Sequence, residues 1–253
     1  MSELLHHEKA GSGPTVVLLH AGVADLRMWD VQVDLLLGHG FRTVRCDLRG
    51  FGESGLEPGS SYSDAEDVLA LLDDLGVTDF ALVGSSFGGF VALQVATAAP
   101  DRVTRLVLLA TAAEVAEPDD DLRALWREEG ALMDAGDLDA ATALNVRSWI
   151  GPDADDDARD LLARMQRRAL DVQVAAGDDV DARELTVTPT ALTMPTTVVA
   201  GGHDFAFFRA TARTLAALIP HGTLVELPWA GHLPSLERPD ETAALVLDAV
   251  RNH

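Results

Sequence analysis

Cysteine occurs once in these 253 residues, at position 46, so the chain forms no internal disulfide and builds no thiolate-rich zinc site. That one cysteine lies in the run Phe41-Arg42-Thr43-Val44-Arg45-Cys46, whose apolar flanks suggest a buried structural thiol. Basic residues are scarce as well. Nineteen Lys and Arg stand against 41 Asp and Glu, a net charge of −22 that argues against a general nucleic-acid binder, and no arginine pair grows into a basic cluster. No apolar run reaches the ~18 residues of a membrane span. The stretch from Met1 to Lys9 is polar and acidic, unlike the basic-then-apolar pattern of a secretory signal. These absences lead us to expect a cytoplasmic protein with neither nucleic-acid nor membrane partners.

A hydrophobic share of 47% and a charged share of 24% place the chain in the globular class, and its length suffices for one domain with a modest insertion. Short runs rich in Val and Leu, without polar alternation, read as buried parallel strands: 15–19, 43–46, 80–83, 103–109, 196–200 and 223–227. Helical spacing lies between them. Ala65, Val68, Leu69, Leu72 and Leu75 form one stripe closed by Gly76, and further helices are expected at 88–99, 208–218 and 241–250. Strand and helix alternate, which predicts an α/β fold with a mainly parallel central sheet flanked by helices.

One region breaks the alternation. From Ala112 to Pro189 no strand is expected, only helices near 122–133, 138–149 and 158–176. The acidic joints Pro118–Asp121 and Gly151–Asp157 read as solvated faces and helix N-termini, since neither has calcium-loop spacing. The expected division is a core of 1–111 and 190–253 interrupted by a helical cap insertion, 112–189.

The sharpest local pattern is Gly84-Ser85-Ser86-Phe87-Gly88, a G-x-S-x-G between an expected strand and an expected helix. A serine on so sharp a turn tolerates only small neighbours two residues away, and its hydroxyl stands free above the sheet. The turn also aims backbone N–H groups at any anion formed beside the serine. Serine needs a base, and the base needs a group to hold its tautomer. His232 follows the last expected strand and Asp204 follows the strand before it, so both should emerge at the same sheet edge as Ser86. His20 and His203 are the nearest rivals as base. His6 and His7 precede the core, His39 and His221 sit in expected surface turns, and His253 ends the chain.

The chain order Ser86, Asp204, His232 resembles the α/β-hydrolase superfamily, in particular its small branch of serine esterases, enol-lactonases and cofactor-free haloperoxidase-like enzymes. Leu18-Leu19-His20-Ala21-Gly22 is similar to that family's oxyanion loop, with Ala21 where glycine is usual. The resemblance makes His20 structural and the N–H groups of Gly22 (or Val23) and Phe87 the oxyanion donors. Asp47-Leu48-Arg49-Gly50-Phe51-Gly52-Glu53-Ser54 resembles the family's D-x-R-G-x-G-x-S turn, where Asp47 and Arg49 would brace the loop together. Glu237, within the closing histidine motif, would be structural. Dehalogenases and epoxide hydrolases of this fold use an aspartate nucleophile, whereas position 86 is serine.

The expected activity is hydrolysis of a small carboxylic ester or lactone through an acyl-enzyme, with no cofactor and no metal. Carbon–carbon bond hydrolysis, perhydrolase or haloperoxidase-like chemistry, and a slow ligand-binding receptor are the alternatives. Substrate contacts are expected from Val23, Trp126, Trp149 and Phe205, and a homo-oligomer is compatible with the sequence.

Overall fold

The computed structural model describes residues 4–251. Its main sheet has seven strands: β1 (His7–Ala10), β2 (Thr15–Leu19), β3 (Arg42–Cys46), β5 (Phe80–Ser85), β6 (Val103–Leu109), β8 (Thr196–Gly201) and β9 (Gly222–Leu227). They lie in the order β1-β3-β2-β5-β6-β8-β9, with β1 antiparallel to β3 and every other neighbour parallel. A separate short pair joins β4 (Ser61–Tyr62) to β7 (Asp181–Ala182).

Both faces of the main sheet are covered, which is why its inner strands carry continuous apolar runs. Successive side chains point to opposite faces. Val17, Leu19, Val44, Leu82 and Leu108 share one core with α2 (Asp64–Asp74), α3 (Phe87–Ala98) and α7 (Ala206–Leu218). Val16, Leu18, Val83, Val107 and Leu109 face the other core, with α1 (Asp30–Gly38) and α9 (Pro239–Val250). A short α8 (Pro234–Glu237) leads into α9.

Between β6 and β8 come α4 (Asp120–Asp134), α5 (Leu138–Trp149) and α6 (Asp156–Ala176). Their acidic joints have a specific task. Asp119, Asp137 and Asp155 each accept the backbone N–H three residues on, from Leu122, Ala140 and Ala158, at 2.9, 3.0 and 2.8 Å. Each carboxylate satisfies a donor that the helix itself leaves unpartnered, and does so at the positive end of the helix dipole.

The structure corrects the sequence reading in three places. The stretch expected to lack strands contains β7, which pairs with β4 across 120 residues of chain. The edge strand β1 was not expected, because His-Glu-Lys-Ala is polar and three of its four residues are exposed. Nor was α1, nor the 3-10 turn Leu26–Trp29 before it. In α1 the buried set is Gln32, Val33 and Leu36, so a glutamine interrupts the apolar stripe. Its amide donates to the carbonyls of Ser235 and Pro239, 3.3 and 3.2 Å away, at the contact with α9.

Candidate active site

Four chain segments arrive at the carboxyl edge of the sheet: the loop after β2, the turn from β5 to α3, the turn after β8 and the loop after β9. Ser86 occupies the second of these with φ 51° and ψ −115°, a strained conformation for a non-glycine residue. Its neighbours explain the glycine pattern. A Cβ on Gly84 would lie 2.4 Å from the Gly88 carbonyl oxygen, and one on Gly88 would lie 2.3 Å from that of His20. The turn is anchored to the neighbouring strand by the Ser86 N–H, which donates to the Leu109 carbonyl at 2.8 Å. Phe87 begins α3, so its N–H is among those that a helix start leaves free of intrahelical partners.

Ser86, His232 and Asp204 are in contact. Ser86 Oγ is 2.8 Å from His232 Nε2, and His232 Nδ1 is 2.9 and 3.0 Å from the two oxygens of Asp204. A proton on Nδ1 donated to the carboxylate leaves the Nε2 lone pair to accept the serine hydroxyl. Asp204 is itself fixed by the Phe205 N–H, which donates to Oδ1 at 2.7 Å. The side chains of His232 and Asp204 are only 2% and 1% exposed, so the pair is shielded from water. Two rings flank the imidazole: the centroids of Phe208 and Trp149 lie 4.2 and 4.6 Å from that of His232.

Glu237 holds the loop that carries His232. Its two carboxyl oxygens accept the N–H groups of Gly231 and Leu233, the residues on either side of the histidine, at 2.6 and 3.0 Å. Burial holds this carboxyl above the usual range, against the opposing pull of the N–H groups of Gly231, Leu233 and Gly151. Gly151, from the joint between α5 and α6, packs so closely that an added Cβ would stand 2.0 Å from Glu237 Oε2.

The other residues singled out from the sequence are placed as follows. Gly22 lies against Phe87, with 3.3 Å between an ideal Cβ on Gly22 and the Phe87 Cβ, and Val23 beside it is half-buried. His20 is fully buried; Nδ1 bonds the Ala21 carbonyl at 2.8 Å and Nε2 accepts the Leu48 N–H at 2.9 Å. Burial lowers its pKa, which favours the neutral ring that this pattern needs. His203, the other rival base, is exposed. Asp47 braces the glycine-rich turn, accepting from Leu26 N–H and Glu53 N–H at 2.8 and 2.9 Å. The Arg49 guanidinium pairs with Asp67 of α2 at 2.5 Å. Cys46 is completely buried, and burial pushes its thiol pKa upward.

The two tryptophans expected to contact substrate differ in setting. Trp126 is 45% exposed on α4, while Leu122 and Leu125 take the buried positions of that helix. Trp149 is 7% exposed, packs on His232, Phe205 and Phe208, and borders the cavity of about 330 Å³ beside His232 and Asp204. Phe205 is half-buried, edge-on to Trp149 at 5.3 Å. The contact of Phe208 with His232 was not anticipated, although its position four residues beyond Asp204 puts it one helical turn from the carboxylate. His253 lies outside the described residues.

The family described as the alpha/beta hydrolase fold matches residues 14–239. The chain belongs to that family. Among curated proteins, epoxide hydrolase 2 of Siraitia grosvenorii is 34% identical over 158 residues, a match that takes in 55% of this chain and 50% of that protein. Pimeloyl-[acyl-carrier protein] methyl ester esterase of Aliivibrio salmonicida is 28% identical over 251 residues, 95% of this chain and 94% of that one. Among solved structures, the enol-lactonase of Burkholderia xenovorans LB400 superposes with a TM-score of 0.78 at 27% identity, covering 96% of this chain and 95% of its own. The relatives named as an esterase and a lactonase fit an enzyme of the carboxylic ester hydrolase class. Among the described residues, no helix is long and apolar enough to cross a membrane.

Proposed function

We propose that this hydrolase-family chain cleaves a small carboxylic ester or lactone through an acyl-enzyme on Ser86, with His232 as general base and Asp204 as the group that orients it. The observation that carries the reading is the unbroken contact from Ser86 Oγ through both nitrogens of His232 to the buried Asp204 carboxylate. The names of two full-length relatives, one an ester hydrolase and one a lactonase, support the same substrate class.

In the first half-reaction His232 Nε2 takes the hydroxyl proton as Ser86 Oγ bonds to the substrate carbonyl carbon. Asp204 offsets the charge of the imidazolium and keeps Nδ1 protonated. The carbonyl oxygen becomes an anion that the N–H groups of Gly22 and Phe87 stabilise; in comparable sites one such donor is worth about 3 kcal/mol. As the tetrahedral adduct collapses, the carbon–oxygen bond to the alcohol breaks and His232 returns its proton to that oxygen. From an ester the alcohol leaves; from a lactone it stays tethered to the acyl group. Water, deprotonated by His232, then attacks the acyl-enzyme, and the acid is released with Ser86 restored.

The partial likeness to an epoxide hydrolase does not alter this reading, since a serine alkoxide and its neighbouring oxyanion donors suit an acyl carbon. The test is hydrolysis of nitrophenyl esters from acetate to octanoate by the purified protein beside Ser86→Ala, with mass spectrometry of the intact chain. Turnover that disappears in the variant, with an acyl adduct on Ser86, is the expected result. Equal turnover by the variant would overturn it.

A further inference from the structure

The insertion reaches the base directly. Trp149, the last residue of α5, lies 4.6 Å ring to ring from His232, at an interplanar angle of 46°. Phe208 of α7 lies 4.2 Å from it at 57°. Both distances fall inside the ~6 Å within which an aromatic ring attracts a cation. A second observation shows that the Trp149 ring is set rather than free. Its indole N–H donates to Asn145 Oδ1 at 2.8 Å, and Asn145 Nδ2 donates in turn to Glu129 of α4 at 2.5 Å. Asn145 is 1% exposed, so this relay is buried at its centre. Two helices of the insertion thereby fix one ring against one imidazole.

We propose that Trp149 is a positioning residue for the base: with Phe208 it clasps the His232 ring between Asp204 and Ser86 and stabilises the imidazolium formed during each proton transfer. The inference rests on the triad reading above. It gives the insertion a part in the chemical step, beyond any part in choosing substrate.

The electrostatic setting makes such a role useful. Asp204 and Glu237 face His232 from the turn after β8 and from α8, while Arg147, Arg159 and exposed His203 line the cavity of about 330 Å³ that borders it. Arg147 pairs with Glu128 at 2.8 Å, and Arg159 donates to the Gly151 carbonyl at 2.9 Å. The imidazolium therefore forms in a site with little water and with cations nearby. There the electron-rich faces of two rings supply attraction that solvent does not.

The experiment compares Trp149→Leu, Trp149→Phe and site-specific incorporation of increasingly fluorinated tryptophan at 149, which keeps ring size while draining the charge of its face. Kinetics on a nitrophenyl ester would be followed across pH, alongside circular dichroism and Ser86→Ala. The expected result is a kcat about tenfold lower for Trp149→Leu with KM nearly unchanged, and substantial rescue by phenylalanine. Stepwise loss of kcat with fluorination is also expected, together with movement of the acidic limb of kcat/KM toward lower pH. A folded Trp149→Leu that keeps wild-type kcat, or fluorinated proteins with unchanged kcat and pH profile, would overturn the proposal. Should Trp149→Leu not fold, the fluorinated series alone decides. Ser86→Ala separates the two ideas: its retention of turnover removes the triad reading, whereas its loss alongside insensitivity to fluorination removes only the role of Trp149.

Discussion

Asp64, half-buried, and Glu237, buried, are two carboxyls with different effects on the protein. Asp64 opens α2, where its Oδ1 accepts the Arg49 N–H at a long 3.4 Å, and burial, with added repulsion from Asp67, pushes it up to about 7. The Arg49 N–H and guanidinium offset this only in part. The folded chain thus keeps a proton on Asp64 that the unfolded chain releases near its ordinary value, so stability declines as pH rises from about 4 to about 7. Asp64→Asn removes the penalty. In urea unfolding it should match the wild type at about pH 4 and exceed it by about 4 kcal/mol at about pH 8. A constant difference at both pH values would show that the carboxyl is not the cause. Glu237 gives the opposite mutational outcome, because both of its oxygens already accept N–H bonds around His232. Glu237→Gln presents an amide NH2 to one of those donors and should cost about 2 kcal/mol of stability. It should also lower kcat through loosening of the His232 loop, read as a kcat loss larger than any change in KM. These two roles were unequally visible from the sequence. Glu237 stood in a recognisable motif, whereas the burial of Asp64 depends on the path of the turn from Asp47 to Ser54 over α2.

Among the elements, α4 and α7 meet through one side chain. Asp119 accepts the N–H of Leu122 at the start of α4 with one oxygen and that of Phe207 at the start of α7 with the other, at 2.9 and 2.8 Å. The helical segment between β6 and β8 is thereby tied to the helix that follows Asp204. Burial alone would raise this carboxyl, but the backbone donors of both helices prevail and hold it below its usual range. The stability it confers is therefore complete above the ordinary carboxylate range and is lost as pH falls through the lowered value. Asp119→Ala removes two caps and should cost about 2 kcal/mol at neutral pH. The gap to wild type should shrink in acid, as thermal unfolding at the two pH values would register. The three helices of the insertion were legible because capping aspartates preceded periodic runs. The short α1 was not, since its contact with α9 uses buried Gln32, and β1 was not, since an exposed edge strand has no apolar alternation to read. The meeting of Ser86, His232 and Asp204 was legible for a related reason: three strand ends point to one edge of a parallel sheet. The clasp around His232 was hidden because Trp149 and His232 are 83 residues apart and meet only once the insertion folds back.

For the molecule as a whole, charge is the dominant asymmetry. With 41 acidic against 19 basic side chains, the arginines are largely engaged in local pairs such as Arg45 with Glu8 and Asp30, Arg213 with Glu226, and Arg238 with Asp153 and Glu241. Exposed pairs of this kind contribute between about 0 and 1 kcal/mol each, and salt weakens them. Against them stands the repulsion of a net charge of −22, which is lower in the expanded chain than in the folded one. Salt weakens that repulsion too, and over longer distances, since the screening length shrinks from about 30 Å at 0.01 M to about 4 Å at 0.5 M. The excess of one sign decides the balance: each acidic group without a basic partner gains from screening, and the weak exposed pairs have little to lose. The melting temperature at neutral pH should therefore rise by a few degrees over that range of sodium chloride. A fall would mean that the ion pairs outweigh the repulsion. The same logic predicts a smaller salt effect near pH 5, where raised carboxyls such as Asp64 are protonated and the net charge is reduced. Melting curves on a grid of salt and pH would separate the global term from the local ones, because Asp64→Asn should change the pH dependence while leaving the neutral-pH salt slope almost intact.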